Sequence, residues 1–168
     1  MLARKTGEAV WVGELVDDKV HVVHQAAGPG DPGQVLGGDS AIPWHACALG
    51  QAIVAGLDHD AQEVLLAAPA QRLTGLTMTE PEELRRMLAM TRHRGYAVEA
   101  HAATLGEAGI AAPVVDESGR PIGAIGLVGP VERVLADERL KGIVEAVWST
   151  AQALSQDLGA AGANPIRQ

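Results

Sequence analysis

Hydrophobic and polar positions change their period several times along the 168 residues. "AVWVGELV" (residues 9–16) and "VHVVHQA" (residues 20–26) are rich in β-branched side chains and flank the turn-forming "DDK", which predicts a β-hairpin. Residues 27–39 hold so many Gly, Pro and Asp that only a brief strand around residues 34–36 fits there. After Pro43 the spacing becomes helical, and a helix is expected from about His45 to Leu57, opened by a proline whose missing N–H has no partner to lose. "AQEVLLAA" predicts a second, short helix capped by Asp58 or Asp60. In "TMTEPEELRRMLAMTRHRGYA", Thr79 and Glu82 have capping-box spacing, Leu84, Met87, Leu88 and Thr91 mark one face, and Gly95 marks the stop of a third helix.

Strands are expected over residues 97–103, 109–115 and 121–128, the last two joined by the turn "DESGR". Leu140, Ile143, Val144, Val147, Trp148, Ala151, Leu154 and Leu158 then form one stripe at helical spacing, predicting a long one-sided terminal helix. Residues 160–168 are small and polar and read as a disordered tail. A hairpin, then helices, then strands closed by a helix is not the strict alternation of a doubly wound parallel fold. It predicts an α+β domain with an antiparallel sheet flanked by helices.

Composition narrows the function. The chain is long enough for one core, and its net charge of −8 argues against gripping nucleic acid, which requires Lys and Arg to neutralise phosphates. One cysteine, Cys47, permits neither an intramolecular disulfide nor a CxxC zinc site, and the scattered histidines match no metal spacing. No signal-peptide pattern and no membrane-spanning run is present, so a cytoplasmic protein without cofactor or metal is expected.

The last two strands raise a packing question. Ile122, Ala124, Gly126 and Val128 share one face of a period-two pattern, and Gly109 and Ala111 remove more volume from the preceding strand. Interiors do not keep voids, so a helix, another backbone or a ligand must approach. The start of the helix at "PWHACALG" favours a ligand. Small residues there leave backbone N–H groups and the positive end of the helix dipole for a carboxylate or phosphate. Trp44, at the helix entrance, is expected to line the pocket. Leu at Gly126 is expected to fill it with the fold intact.

"TGEAVWVGELVDDKVHVVHQA", "PWHACALGQAIVAGL", "LTGLTMTEPEEL", "RHRGYAVE" and "GIAAPVVDESGRPIGAIGLVGPVERV", followed by the terminal helix, resemble the C-terminal effector-binding domain of IclR-family bacterial transcriptional regulators over residues 5–158. The resemblance implies a GAF-like domain, with a curved antiparallel sheet and helices on both sides, spanning residues 1–159. It implies a homodimer or homotetramer, and a winged helix-turn-helix that precedes this domain and binds operator DNA. No such module is encoded before Leu2, so DNA contact is expected only through a domain absent from this chain.

Carried over by position, the effector contacts implied are the backbone of Cys47, Ala48 and Leu49 and the side chain of Glu99. A Cys frequent before I-A-A is Gly109 here, and the two Ser of S-x-S-G-P are Gly126 and Val128. Ala102 stands where the family usually has Glu, with His101 beside it. The loss of these polar side chains argues against a very small oxo-acid, because buried polar contacts must be replaced. The effector class implied is an anionic metabolite, a small carboxylate or a polyol phosphate; the resemblance to regulators of glycerol catabolism implies glycerol 3-phosphate. The alternatives are a ligand-free oligomerisation module, whose Gly/Ala face is filled by protein, and a small GAF-like enzyme using Cys47.

Overall fold

The computed structural model describes residues 1–29 and 41–159. The elements run α1 (Leu2–Thr6), β1 (Ala9–Val16), β2 (Lys19–Ala26), β3 (Ala41–Pro43), a 3-10 turn (Trp44–Ala46), α2 (Ala48–Ala55), α3 (His59–Ala67), α4 (Pro81–Arg94), β4 (Ala97–Ala100), β5 (Glu107–Val115), β6 (Pro121–Pro130), α5 (Val131–Val134) and α6 (Asp137–Asp157). The six strands form one sheet in the order β3-β2-β1-β6-β5-β4, each pair antiparallel. This is the GAF-like architecture, a curled sheet flanked by helices.

Alternation along β5 and β6 sends their residues to two different layers. Ala108, Ile110, Ala112, Val114, Ile125 and Leu127 pack against Ile143, Val147 and Ala151 of α6, with Val134 of α5 and Leu2 of α1 closing the end. Ala111 and Ala124 face the opposite layer, where Ala48, Leu49, Ala52 and Ile53 of α2 cover them together with Trp11 and Val20. Behind α2, a third cluster joins Trp44 and Val54 to Leu66 of α3 and to Leu84 and Leu88 of α4.

Ser155 shows how α6 is seated. The register of β5 on β6 shifts between Val114 and Val115, and the hydroxyl of Ser155 accepts the Val115 N–H at 3.0 Å while donating to the Ala151 carbonyl. Of the predicted stripe on α6, Ile143, Val147 and Ala151 are buried, Leu140, Val144 and Leu154 pack partly buried against the same core, and Ser155 joins the buried face. Trp148 is half-buried, and Leu158, beyond the helix end, is exposed.

Several predicted boundaries change for local reasons. The helix expected from His45 breaks at Cys47, whose backbone is extended (φ −143°), so the 3-10 turn folds back onto α2. Gly50 permits this: a Cβ there would overlap the Trp44 carbonyl. The capping box does not form. Pro81 takes the first helical position, Glu80 becomes the N-cap without a side-chain bond, and Thr79 accepts from Arg72 instead. Asp58, not Asp60, caps α3 through the Ala61 N–H at 2.8 Å. The strand expected over residues 97–103 stops at Ala100, because His101 adopts a left-handed backbone (φ 63°) and the chain turns. The short helices α1 and α5 have no counterpart in the sequence reading. The expected strand at residues 34–36 and the tail at 160–168 lie outside the described residues.

Candidate functional site

A cavity of about 390 Å³ lies between the sheet and the start of α2. Every strand contributes to its wall: Ala41, Ile42 and Pro43 from β3, Lys19 from β2, Trp11 from β1, Gly126, Leu127 and Val128 from β6, Ala111 and Glu107 from β5, and Glu99 from β4. The loops add Gln71, Leu73, Ala103 and Thr104, and the entrance to α2 adds Ala46, Cys47, Ala48 and Leu49.

Close approach explains why this wall carries so few bulky side chains. Gly126 stands opposite Ala111 in the β5–β6 register, and a Cβ on it would meet the Ile110 carbonyl oxygen at 2.5 Å and the Ala111 Cβ at 2.7 Å. Gly126 is therefore glycine because of its neighbouring strand, not to leave room for a ligand, and Leu there does not leave the fold intact. A Cβ on Gly109 would stand 3.2 Å from the Ala48 Cβ and 3.7 Å from Oε2 of Glu99, so its absence lets α2 settle on the sheet beside that carboxyl. Gly109 supports the cavity from beneath and is not among its described lining residues.

The end of α2 is partly occupied by its own cap. The Cys47 thiol accepts the Gly50 N–H at 3.4 Å, and the Leu49 amide also interacts with it. Of the first-turn amides, that of Ala48 is the one with no such interaction, as expected at a helix start without preceding carbonyls. Burial pushes the thiol up to about 12, against the pull of these amides, and the nearby Glu99 carboxylate pushes in the same direction. Cys47 is thus a neutral capping group, the opposite of an activated thiolate.

Glu99 sits beside this helix start. Its Oε1 accepts the Ala102 N–H at 2.6 Å, which anchors the loop that carries Ala103 and Thr104. Burial is the main cause that raises its carboxyl to about 7; Glu107 adds to the rise, and the amides of Ala102 and Ala103 oppose it. Thr74 and Thr77 secure the same loop, donating to the carbonyls of His101 at 2.6 Å and Ala102 at 2.7 Å. The Ala102 position therefore contributes backbone, and His101 uses its Nδ1 to accept the Gly106 N–H within the loop.

The structure thus brings Cys47, Ala48, Leu49, Glu99, Gly126 and Val128 to one cavity and leaves Gly109 beneath it. Trp44 is elsewhere. It is 3% exposed and points into the cluster with Val54, Leu66 and Leu84, because the 3-10 turn rotates it behind α2. The tryptophan on the cavity wall is Trp11, whose period-two position in β1 was the available signal. Lys19, Gln71, Thr104 and Glu107 were missed because each belongs to a turn or a strand end, where periodicity assigns no face.

Among the described residues no group of three His, Cys, Asp or Glu side chains could hold a metal, and no helix is long and apolar enough to cross a membrane.

Comparison with known proteins agrees with the fold. Residues 1–156 match the model of the bacterial transcriptional regulator IclR C-terminal family. The chain is 39% identical over 160 residues to the glycerol operon regulatory protein of Streptomyces coelicolor, covering 95% of this chain and 63% of that protein. The crystal structure of Thermotoga maritima IclR superposes with a TM-score of 0.87 at 23% identity, over 94% of this chain and 64% of that one. An IclR homologue from Microbacterium hydrocarbonoxydans, complexed with 4-hydroxybenzoate, superposes with a TM-score of 0.82 at 24% identity, over 95% of this chain and 64% of that one. The chain spans less than two thirds of the length of each. It belongs to the IclR family of bacterial transcriptional regulators, not to an enzyme family, and constitutes that family's C-terminal effector-binding domain.

Proposed function

We propose that the cavity receives an anionic metabolite, either a small carboxylate or a polyol phosphate such as glycerol 3-phosphate. The observation that carries this reading is the meeting, on the wall of one 390 Å³ space, of the α2 start with the carboxyl of Glu99. The Ala48 amide and the helix dipole favour the anion. Glu99, raised to about 7, exchanges between donor and acceptor near neutrality and suits a hydroxyl. The volume supports the reading too, since cavities of a few hundred Å³ are those of small-molecule sites. The relative named for a glycerol operon and the neighbour holding 4-hydroxybenzoate are both compatible with hydroxylated ligands.

Binding here would act by population shift. An effector that prefers one arrangement of a homodimer or homotetramer changes the presentation of DNA-binding domains on the full-length cytoplasmic regulator, and only its differential affinity does so. A ligand-free oligomerisation module would need the Gly/Ala face filled by protein, whereas the concavity beside Cys47 to Leu49 is open.

Thermal unfolding against a panel of hydroxylated carboxylates and polyol phosphates tests the reading. A true effector at about 100 times its Kd adds roughly 2.7 kcal/mol of stability. Val128→Phe, which projects into the cavity, is expected to abolish that gain while the unliganded midpoint holds. No stabilisation by any anion in the panel would refute it.

A further inference from the structure

Two carboxyl groups share one face of the sheet beside the start of α2. Glu99 pairs with Gly109 across β4 and β5, and Glu107 lies two residues before Gly109, so the two glutamates stand diagonally on the face that α2 covers. Such diagonal positions are about 7–8 Å apart, within reach of long side chains. The Gly109 position, 3.2 Å from the Ala48 Cβ and 3.7 Å from Oε2 of Glu99, ties this pair to the first residue of α2. Both glutamates line the cavity, and among the described residues neither enters an ion pair. Lys19, the only Lys or Arg among the described lining residues, is exposed and lies four strands from β4 in the sheet order.

The groups around Glu99 offer its negative charge little support. From α2 comes the neutral thiol of Cys47, and from β5 the carboxylate of Glu107. The loop after β4 supplies the amides of Ala102 and Ala103, and the Nδ1 of His101 in the same loop is already taken by the Gly106 N–H. The segment before α4 contributes the uncharged Gln71 and Leu73 to the cavity wall, and its Thr74 and Thr77 hydroxyls are spent on loop carbonyls; β6 contributes Val128. The Ala102 N–H occupies Oε1 of Glu99, which leaves Oε2, the oxygen on the Gly109 side, to carry a proton. Protonated, that oxygen becomes a hydrogen-bond donor.

We propose that the cavity binds its anion together with one proton: an effector held at the Ala48 N–H keeps Glu99 in its carboxylic-acid form, and Oε2 donates that proton to the bound anion. The proton comes from solvent and returns there on release. This rests on the reading of the cavity as an anion-binding effector site, and it adds how pH regulates that site. An anion entering beside two carboxylates meets repulsion that a single proton relieves, and by reciprocity the anion strengthens the hold of Glu99 on its proton. Burial already raises the carboxyl to about 7 in the free chain, so the exchange falls near neutral pH. Affinity is therefore greatest where Glu99 is protonated and falls as the pH rises.

Titration calorimetry of the 168-residue chain with D-glycerate, 4-hydroxybenzoate and sn-glycerol 3-phosphate, in buffers of different ionisation enthalpy, counts the protons taken up per anion bound. At about pH 8 the wild type is expected to take up at least about half a proton, and its Kd should rise at least tenfold between about pH 6.5 and 8.5. Glu99→Gln, whose amide donates at every pH, should take up none and hold its Kd within about threefold over that range. The variant keeps an acceptor for Ala102, so its urea midpoint at about pH 8 should be no lower than that of the wild type. Uptake that persists in Glu99→Gln, whether or not Glu107→Gln removes it, places the proton elsewhere and overturns the proposal. Loss of all binding by a folded Glu99→Gln overturns it too, because the carboxylate itself is then required. Wild-type binding with no uptake and a level Kd overturns the coupling and leaves the cavity reading standing, provided Val128→Phe blocks binding. Failure of the wild type to bind any of the three anions overturns both.

Discussion

Oε1 of Glu99 accepts the Ala102 N–H at 2.6 Å, so one carboxyl group both faces the cavity and ties down the loop at its mouth. Burial raises that carboxyl from 4.5 to about 7, so the folded protein holds a proton that the unfolded chain has released between those values. Stability contributed by the protonated form is fully present below pH 4.5 and is lost as the pH rises through about 7. Denaturant titrations across this window should show a loss of about 3 kcal/mol. Glu99→Gln, which keeps an acceptor for Ala102, should remove most of the slope; an unchanged slope would place the titrating group elsewhere.

Cys47 is expected to behave as a cap. Cys47→Ala removes the acceptor of the Gly50 N–H and should cost about 1 kcal/mol, whereas Cys47→Ser should stay close to wild type. With the thiol pushed up to about 12, alkylation by iodoacetamide at neutral pH should proceed far more slowly in the folded chain than in urea. Rapid alkylation of the native protein would contradict this environment.

Gly126 and Val128 share a strand face and should respond differently. Gly126→Ala places a Cβ 2.5 Å from the Ile110 carbonyl oxygen, so β5 and β6 must separate, and a loss of roughly 3 kcal/mol or more is expected in urea titrations. Val128→Phe enlarges a half-buried side chain toward open space and should preserve the unfolding midpoint. Comparable stability of Gly126→Ala and wild type would show that the strands are not that close.

Glu8 is 2% exposed and is held by Arg133 through two bonds, at 2.8 and 3.2 Å, with Arg139 at 3.5 Å. Arg133→Met leaves the buried carboxylate with its weaker partner and should cost about 3 kcal/mol. Adding Glu8→Met should recover much of that loss, because the charge that needed the partner is gone. Additive losses in the double variant would mean that the pair is not the source of the effect.

The sequence by itself determined the architecture. Period-two runs at residues 9–16 and 20–26, a proline before α2, Gly95 after α4 and the stripe on α6 are local signals, and local sterics and capping produce the elements they announce. The family motifs likewise marked Cys47, Ala48, Leu49 and Glu99, which the fold brings to one cavity. The tertiary structure alone decided which way Trp44 points and why Gly126 is glycine. The first depends on the 3-10 turn folding over Gly50, and the second on the Ile110 carbonyl of the neighbouring strand. Lys19 and Glu99, 80 positions apart in the chain and four strands apart in the sheet, line one cavity because of strand order. No pattern within a strand encodes that distance. Strand order is set by how the curled sheet buries its two faces against α2 and α6, an energy shared among residues distant in sequence.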